Sequence, residues 1–408
     1  MPNPIAGKNI LLGVCGSIAA YKAADLASKL AQAGAAVDVI LTQSGQKFIS
    51  PLTFQSLTSR HVYTDDDLWN GEGHINHIGL ATRGDLLVIA PASANTIARL
   101  AHGVADNLLT LTALAARCPV LIAPAMDGGM YSNPATQANL EVLAGRGMHI
   151  IGPAQGRMAS GLVGPGRMVE PTELLGQIRA LLGRTGKLAG CKVLVTAGGT
   201  QEPIDPVRMI TNRSSGKQGY AVAQAALDEG ADVILIHAPT HLVVPFGAKD
   251  ILAASAEEMR RAVLEQSEHV DVVIMTAAVA DYRPADYAEQ KIKKAGSAID
   301  LLLEPTADIL KGLAARRKAS GWPRILVGFA AESQDVEENA RQKLKLKDLD
   351  LIAANDISSP DTGFAVDENQ VTLYYPDGSK TEFPRQSKAE VADELIQAIV
   401  KLLARKSD

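Results

Sequence analysis

Aromatic residues are scarce in this chain, at 4% of 408 residues, and there are only three cysteines. Cys15, Cys118 and Cys191 are odd in number, far apart and outside any zinc-type spacing. They exclude a disulfide framework and suit a reducing cytoplasm. A basic excess is also missing: the formal net charge is −5, so the electrostatic footprint of a nucleic-acid binder is absent. No apolar run approaches the ~18–20 residues that a membrane helix needs. Met1-Pro2-Asn3-Pro4 lacks the charged and apolar regions of a secretory signal. The expectation is a cytoplasmic protein that acts on small molecules, with no nucleic-acid or membrane partner. What is abundant is Ala, Leu, Val and Gly, the composition of a parallel sheet covered by helices. The length suits two or three domains.

The same kind of unit opens twice. Asn9-Ile10-Leu11-Leu12-Gly13 runs into a turn at Gly16-Ser17, and Lys192-Val193-Leu194-Val195-Thr196 runs into Gly198-Gly199-Thr200. A short apolar strand feeding a small-residue turn lets backbone N–H groups approach a phosphate, and the following helix adds its positive N-terminus. Strands are expected near 9–14, 37–42, 85–90, 120–123 and 149–151, with helices such as 18–33 and 134–145 between them. They are expected again near 192–196, 232–237, 271–276, 325–329 and 350–354, with helices near 217–229, 256–268, 307–317 and 334–347. A hairpin at 371–383 and a terminal helix at 388–405 follow. The alternation predicts an α/β chain of two doubly wound, Rossmann-like domains, 1–187 and 188–408. Five glycines crowd 152–168. That span reads as a flap that orders over a ligand or as an ordinary long surface loop.

In the first half the dinucleotide fingerprint G-x-G-x-x-G is absent, which argues against a nicotinamide oxidoreductase built from two Rossmann units. Small and hydroxyl residues instead cluster where strands are expected to end: Gly16-Ser17-Ile18, Thr42-Gln43-Ser44 and Ser93-Ala94-Asn95-Thr96. Such ends are where α/β sheets bind ligands, although Ser93 also reads as a plain helix cap. His74 and His77 stand three apart, but without a third ligand they do not make a metal site.

Ile18-Ala19-Ala20-Tyr21-Lys22, Pro91-Ala92-Ser93-Ala94-Asn95-Thr96, Ala105-Asp106-Asn107-Leu108-Leu109 and Pro124-Ala125-Met126 resemble the homo-oligomeric flavin-containing cysteine decarboxylases, over residues 7–183. The resemblance implies a flavodoxin-like domain with FMN where protomers of a trimer meet, its binding positions including Gly16, Ser17, Ile18, Thr42, Ser44, Ser93 to Thr96 and Met126. It also implies that His77 is the active-site histidine. In that chemistry the flavin carries the redox step, and the protein orients the substrate and supplies protons. Two positions depart from the family. Asp127 stands where Asn binds the substrate carboxylate, and facing carboxylates repel unless they share a proton. Ser160 stands where a flap cysteine donates a proton, and a hydroxyl is a far poorer acid than a thiol. These departures raise the alternative of a working ligase fused to a flavin module with impaired decarboxylation.

The second half holds the densest polar stretch, from Asp205 through Arg208, Asn212, Arg213, Ser214-Ser215-Gly216 and Lys217 to Gly219. Its donors suit a phosphate or a developing oxyanion. Asp281 follows a buried strand, and Lys291-Ile292-Lys293-Lys294 comes next. A carboxylate for Mg2+ plus lysines for polyphosphate is what nucleotidyl transfer needs. Lys343 and Lys347, four apart, share one helix face. Asp308-Ile309-Leu310 and Gly328-Phe329-Ala330-Ala331-Glu332 complete a base-and-ribose pocket. These motifs resemble the phosphopantothenate–cysteine ligases over 189–400. Together the two halves resemble the bifunctional decarboxylase/ligase family of coenzyme A biosynthesis.

That resemblance implies that CTP activates the carboxylate of 4'-phosphopantothenate as an acyl-cytidylate, and that the cysteine amine then displaces CMP. The product is decarboxylated to 4'-phosphopantetheine. Asn212 would hold the acyl-cytidylate, and Lys291 would be the essential lysine. Met275, Thr276, Ala277, Asp281, Ala307, Asp308, Ile309, Leu310, Phe329, Lys343 and Lys347 would contact the nucleotide. Flavin-domain trimers and ligase-domain dimers would form the assembly.

Overall fold

The structure, a computed structural model, describes residues 3–68, 76–159, 161–293, 300–332, 334–356 and 368–407. It divides into two compact units, Asn3–Leu182 and Gly183–Asp408.

The first unit runs β1 (Asn9–Val14), α1 (Ala20–Gln32), β2 (Ala36–Leu41), α2 (Pro51–Thr58), β3 (Val62–Tyr63), α3 (Asn76–Arg83), β4 (Leu86–Ala92), α4 (Ala94–His102), α5 (Leu108–Ala115), β5 (Val120–Pro124), α6 (Gly128–Tyr131), α7 (Pro134–Gly145), β6 (His149–Ile150), β7 (Ala154–Arg157), β8 (Val163–Arg167) and α8 (Pro171–Gly183). Its main sheet has the order β3-β2-β1-β4-β5-β6, and every pairing is parallel. Without the two-residue edge strand β3, the order is the 2-1-3-4-5 of flavodoxin-like sheets. Successive residues of β1 pack on opposite faces. Ile10, Leu12 and Val14 join the core with Leu26, Leu30 and Phe54. Leu11 joins the core with Ile97, Leu100 and Leu143. Both faces are therefore covered, which is why the central strands read as continuous apolar runs.

Helix entries follow their caps. Ser50 accepts the Leu52 amide ahead of Pro51, and Asn133 accepts the Ala135 amide ahead of Pro134. The glycine-rich span is not a loop but an antiparallel hairpin of β7 and β8. Its foot is locked to the segment after β5, where the Met126 amide donates to the Gly166 carbonyl at 3.0 Å. A Cβ on Gly166, at φ +151°, would lie 2.3 Å from the Met126 carbonyl oxygen, so only glycine fits there.

The second unit runs β9 (Lys192–Ala197), β10 (Gln201–Pro203), β11 (Met209–Thr211), α9 (Lys217–Asp228), β12 (Asp232–His237), β13 (Lys249–Leu252), α10 (Ala256–Gln266), β14 (Val272–Met275), β15 (Tyr282–Pro284), β16 (Leu303–Pro305), α11 (Ile309–Ser320), β17 (Ile325–Glu332), α12 (Val336–Leu346), β18 (Leu351–Asp356), β19 (Glu368–Asn369), β20 (Val371–Tyr374), β21 (Lys380–Glu382), β22 (Gln386–Ser387) and α13 (Lys388–Ser407). An eight-stranded sheet has the order β13-β12-β9-β14-β17-β18-β20-β21. Its first six strands are parallel, and β20 and β21 add antiparallel. Counted along the chain, the parallel strands follow 3-2-1-4-5-6, the Rossmann order, which reverses direction between β9 and β14. Val193 and Val195 pack on α9 and α13, while Leu194 packs toward α10 and α11. No helix among the described residues is long and apolar enough to cross a membrane.

Candidate functional site

In the first unit the parallel sheet brings the ends of β1, β2, β4 and β5 to one edge. At the end of β1, Cys15 donates its amide to the Pro91 carbonyl at 3.2 Å, tying this turn to the end of β4. Burial pushes the Cys15 thiol up, outweighing its contacts with the Thr96 hydroxyl and Ser93 backbone. It is therefore a protonated packing group at neutral pH. Gly16 lies so close to the end of β2 that a Cβ would stand 2.6 Å from Ser44 Cβ. Ser17 Oγ accepts the Ala19 amide at 3.3 Å. Ile18 is exposed just before α1. Thr42 Oγ1 donates to the Val14 carbonyl at 3.2 Å and accepts the Gly45 amide at 3.1 Å, bracing the β1 and β2 ends against each other.

Ser93 caps α4, accepting the Thr96 amide at 3.3 Å. Thr96 is buried, while Asn95 is exposed on the first turn and Ala94 is half-buried. At the end of β5, Met126 is half-buried, and Asp127 caps α6 by accepting the Gly129 amide at 3.0 Å. His77 is half-buried in the first turn of α3. Ser160 and His74 lie outside the described residues. The described residues therefore place the flavin candidates of β1, β2, β4 and β5 on one sheet edge, with His77 on α3.

In the second unit a cavity of about 720 Å3 opens at the reversal point, where open α/β sheets bind ligands. Every nucleotide-contact position implied by the resemblance lines it except Lys291, and Asn212 lines it too, whereas Gly328 does not. Met275, Thr276 and Ala277 leave β14. Thr276 Oγ1 donates to the Thr196 carbonyl, and the Ala277 amide donates to Thr196 Oγ1 at 3.1 Å. The floor of the cavity is thus stitched across the β9–β14 switch. Asn212 Nδ2 donates to the Ala278 and Val279 carbonyls at 3.2 and 3.4 Å. The Asp281 carbonyl accepts the Thr306 amide at 2.9 Å, which fixes the approach to α11. Asp308 caps α11 through the Lys311 amide at 3.2 Å and pairs with Lys347 at 3.5 Å.

Lys291 is exposed and does not line this cavity; Lys294 lies outside the described residues. Arg208, expected as a phosphate donor, also faces elsewhere: it pairs with Asp205 and donates to the Ile292 carbonyl. Asn355, Asn369 and Lys388 line the cavity although nothing in the sequence marked them. They reach it only through strand order and the packing of α13 on α9.

Residues 2–183 match the Flavoprotein family, and residues 188–403 match the family described as DNA/pantothenate metabolism flavoprotein C-terminal domain. Among curated proteins, the coenzyme A biosynthesis bifunctional protein CoaBC of Bacillus subtilis is 48% identical over 97% of each chain. That of Vibrio vulnificus is 45% identical over 98% of this chain and 99% of its own. The chain belongs to the coenzyme A biosynthesis bifunctional protein family. A crystal structure of the C-terminal domain of such a CoaBC protein is 42% identical, covering 54% of this chain and 99% of its own at a TM-score of 0.46.

As a member of the bifunctional family the chain is an enzyme with decarboxylase and ligase activities, its first unit a flavoprotein domain. Likeness to bifunctional relatives runs through both units. The alternative of a ligase fused to an impaired flavin module is not favoured.

Proposed function

We propose that the second unit joins 4'-phosphopantothenate to cysteine with CTP, and that the first unit decarboxylates the product to 4'-phosphopantetheine with FMN. The observation that carries this reading is the convergence of Asn212, Asp281, Lys343 and Lys347 on one cavity at the reversal of a Rossmann-ordered sheet. A carboxylate is a poor electrophile. Its oxygen attacks the α-phosphorus of CTP and pyrophosphate leaves. The cysteine amine then attacks the acyl carbon and CMP leaves, with the amine proton passing to solvent. The Asn212 amide orients the acyl-cytidylate, and Lys343 and Lys347 offset the phosphate charge, with Lys291 kept as the essential lysine from the exposed segment beyond the cavity lining.

Mg2+ is usually held by one or two carboxylates together with substrate phosphates and water. No group of three or more metal-ligating side chains occurs among the described residues. The Asp281 carboxylate beside a triphosphate fits that kind of site. Mg2+ there would neutralise phosphate charge.

The first unit fits FMN. Helix α1 is entered through Ala19 with no side-chain cap; its Ala20 and Lys22 amides are engaged by the Ser17 and Ala19 carbonyls, so what α1 offers a phosphate is the positive end of its dipole. The hydroxyls of Ser17, Thr42, Ser44 and Ser93 stand at neighbouring strand ends and suit a polyol chain. Bound FMN supplies a reversible two-electron acceptor. The chain's own part is to orient substrate with His77, to share a proton between Asp127 and the substrate carboxylate, and to deliver a proton through Ser160. The assembly is a homo-oligomer with trimeric flavin domains and dimeric ligase domains.

The test uses the full-length, flavin-loaded chain. With CTP, 4'-phosphopantothenate and cysteine it should release pyrophosphate and CMP in equal amounts, followed by CO2. ATP in place of CTP should support much slower pyrophosphate release. Colourless protein that does not recover FMN, together with no pyrophosphate from any nucleoside triphosphate, would end this reading.

A further inference from the structure

One cation in the lining of the ligase cavity has no part in the steps above. Arg213 lines the cavity and is exposed. Among the described residues it makes no ion pair and no side-chain hydrogen bond. The other arginine of this stretch is spent: Arg208 pairs with Asp205 and donates to the Ile292 carbonyl. Two carboxylates line the cavity among the described residues, Asp281 and Asp308. Asp308 is engaged with Lys347, and neither pairs with Arg213.

The backbone under Arg213 is held on both sides. Before it, Asn212 Nδ2 donates to the Ala278 and Val279 carbonyls at 3.2 and 3.4 Å. The Asn212 carbonyl is packed against the turn after β9, where a Cβ on Gly199 would stand 2.6 Å from its oxygen. After it, the Ser214 amide donates back to the Asn212 carbonyl at 2.8 Å, and Ser214 Oγ accepts the Gly216 amide at 3.4 Å. Arg213 is thus the middle residue of a three-residue turn. Its long stem moves freely on a fixed corner and can meet a ligand without disturbing the cavity walls. A guanidinium offers five donors in a planar fork, which matches two oxygens of a phosphate.

We propose that Arg213 binds a phosphate group of one of the two phosphorylated substrates, the nucleoside triphosphate or the 4'-phosphopantothenate, through its guanidinium fork. The assignment rests on the reading of this cavity given under Proposed function.

The experiment compares full-length, flavin-loaded Arg213→Met and Arg213→Lys with the parent. The side chain is exposed and holds no partner, so both variants should keep the parent melting midpoint and the parent rate of CO2 release from supplied phosphopantothenoylcysteine. A clearly lower midpoint would make Arg213 a structural group and overturn the proposal. Pyrophosphate release is followed at low and high salt while CTP, 4'-phosphopantothenate and cysteine are varied one at a time. At low salt Arg213→Met should raise the KM of one phosphorylated substrate by about tenfold or more and leave that of cysteine within about twofold. Lysine should restore part of the loss, because it returns the charge without the fork. The parent KM for that substrate should climb more steeply with salt than the variant's, since screening removes what the substitution has removed. The substrate whose KM moves identifies the source of the phosphate. Both KM values within about twofold of the parent would overturn the assignment, as would a raised KM with an unchanged salt slope. Calorimetric titration of CTP and of 4'-phosphopantothenate into parent and Arg213→Met separates this proposal from the cavity's assigned reaction. If the parent makes no pyrophosphate, that reaction falls, yet weaker binding of one ligand by the variant still supports Arg213. Equal binding by both chains, or no binding to the parent, overturns it.

Discussion

The Asp205 carboxylate accepts the backbone amide of Ile292 at 3.2 Å, one residue beyond Lys291. It also takes the Val207 and Arg208 amides at 2.8 Å each. Arg208 in turn donates to the Ile292 carbonyl at 3.2 Å. The turn leading to Asn212 is thereby tied to the segment carrying Lys291. Neither Asp205 nor Arg208 lines the cavity, so both act as positioning residues.

This arrangement predicts an acid-sensitive anchor. Burial alone would push the Asp205 carboxyl up, but the Val207, Ile292 and Arg208 amides and the Arg208 guanidinium outweigh it and hold the group below its usual range. With the folded pKa below the unfolded one, the stabilisation is present above the ordinary carboxylate range and lost as pH falls through the folded value. Asp205→Asn should therefore melt at lower temperature than the parent near neutral pH, with the difference shrinking as pH falls below the ordinary carboxylate range. Calorimetric midpoints across that range provide the check. Ligase turnover should fall as the Lys291 segment loosens, with the flavin spectrum unchanged. Equal midpoints at neutral pH would remove Asp205 from this role.

Lys22 anchors the hairpin of the flavin unit. It is 5% exposed, and its ammonium donates to the Met168 carbonyl at 2.9 Å and to Glu170 at 2.7 Å. Arg167 reaches the same Glu170 at 3.3 Å. Lys22→Met keeps the packed stem but leaves the Met168 carbonyl without its partner, a loss of about 1–3 kcal/mol. We expect a lower melting midpoint for the flavin unit, faster proteolysis within residues 154–167 and slower CO2 release. Pyrophosphate release should stay at the parent rate. Unchanged proteolysis would mean that the hairpin does not depend on this anchor.

Most of this architecture was legible in the chain because local signals agreed with the tertiary ones. Residues 134–145 form the expected helix to the residue, because Asn133 supplies a cap and Pro134 pre-sets the first turn. The expected helix at 307–317 begins two residues later, at Ile309, because the Asp308 side chain caps rather than continues it. At residues 152–168 composition alone does not separate a flap from a loop, because glycine sets no period; the described residues pair as a hairpin whose foot packs where no side chain fits. Short edge pieces such as β13 and the β10–β11 ribbon carry too few residues for a period to register. Lys388 was hidden for another reason. Its neighbours in the cavity lie far away in sequence, and it sits where an ordinary helix begins.

Asp308 performs two tasks that substitution can separate. One oxygen caps α11 through Lys311, and the other meets Lys347 at 3.5 Å. Asn retains a capping oxygen, whereas Ala removes it at a cost of about 1 kcal/mol. Asp308→Asn should therefore keep the parent melting midpoint, and Asp308→Ala should lower it. Both release Lys347, so both should alter the KM for CTP to a similar extent, read from initial rates of pyrophosphate release. If only the alanine variant changed that KM, the effect would belong to the cap and not to the ion pair.

Asn212 makes the sharpest comparison. Its amide donates to the Ala278 and Val279 carbonyls, both lining the cavity. Asn212→Ala deletes these bonds and should reduce condensation strongly. Asn212→Asp keeps the volume but replaces the donor with a carboxylate that faces two carbonyl oxygens and the incoming anionic substrates. Repulsion is added to the lost donor, so the aspartate variant should be the slower of the two, and raising the salt concentration should narrow the gap by screening. Neither variant should change the flavin absorbance or CO2 release from supplied phosphopantothenoylcysteine. His77→Ala should give the reverse pattern, with CO2 release lost and pyrophosphate release retained. An aspartate variant faster than alanine would show that size, and not the donor at position 212, is what condensation requires.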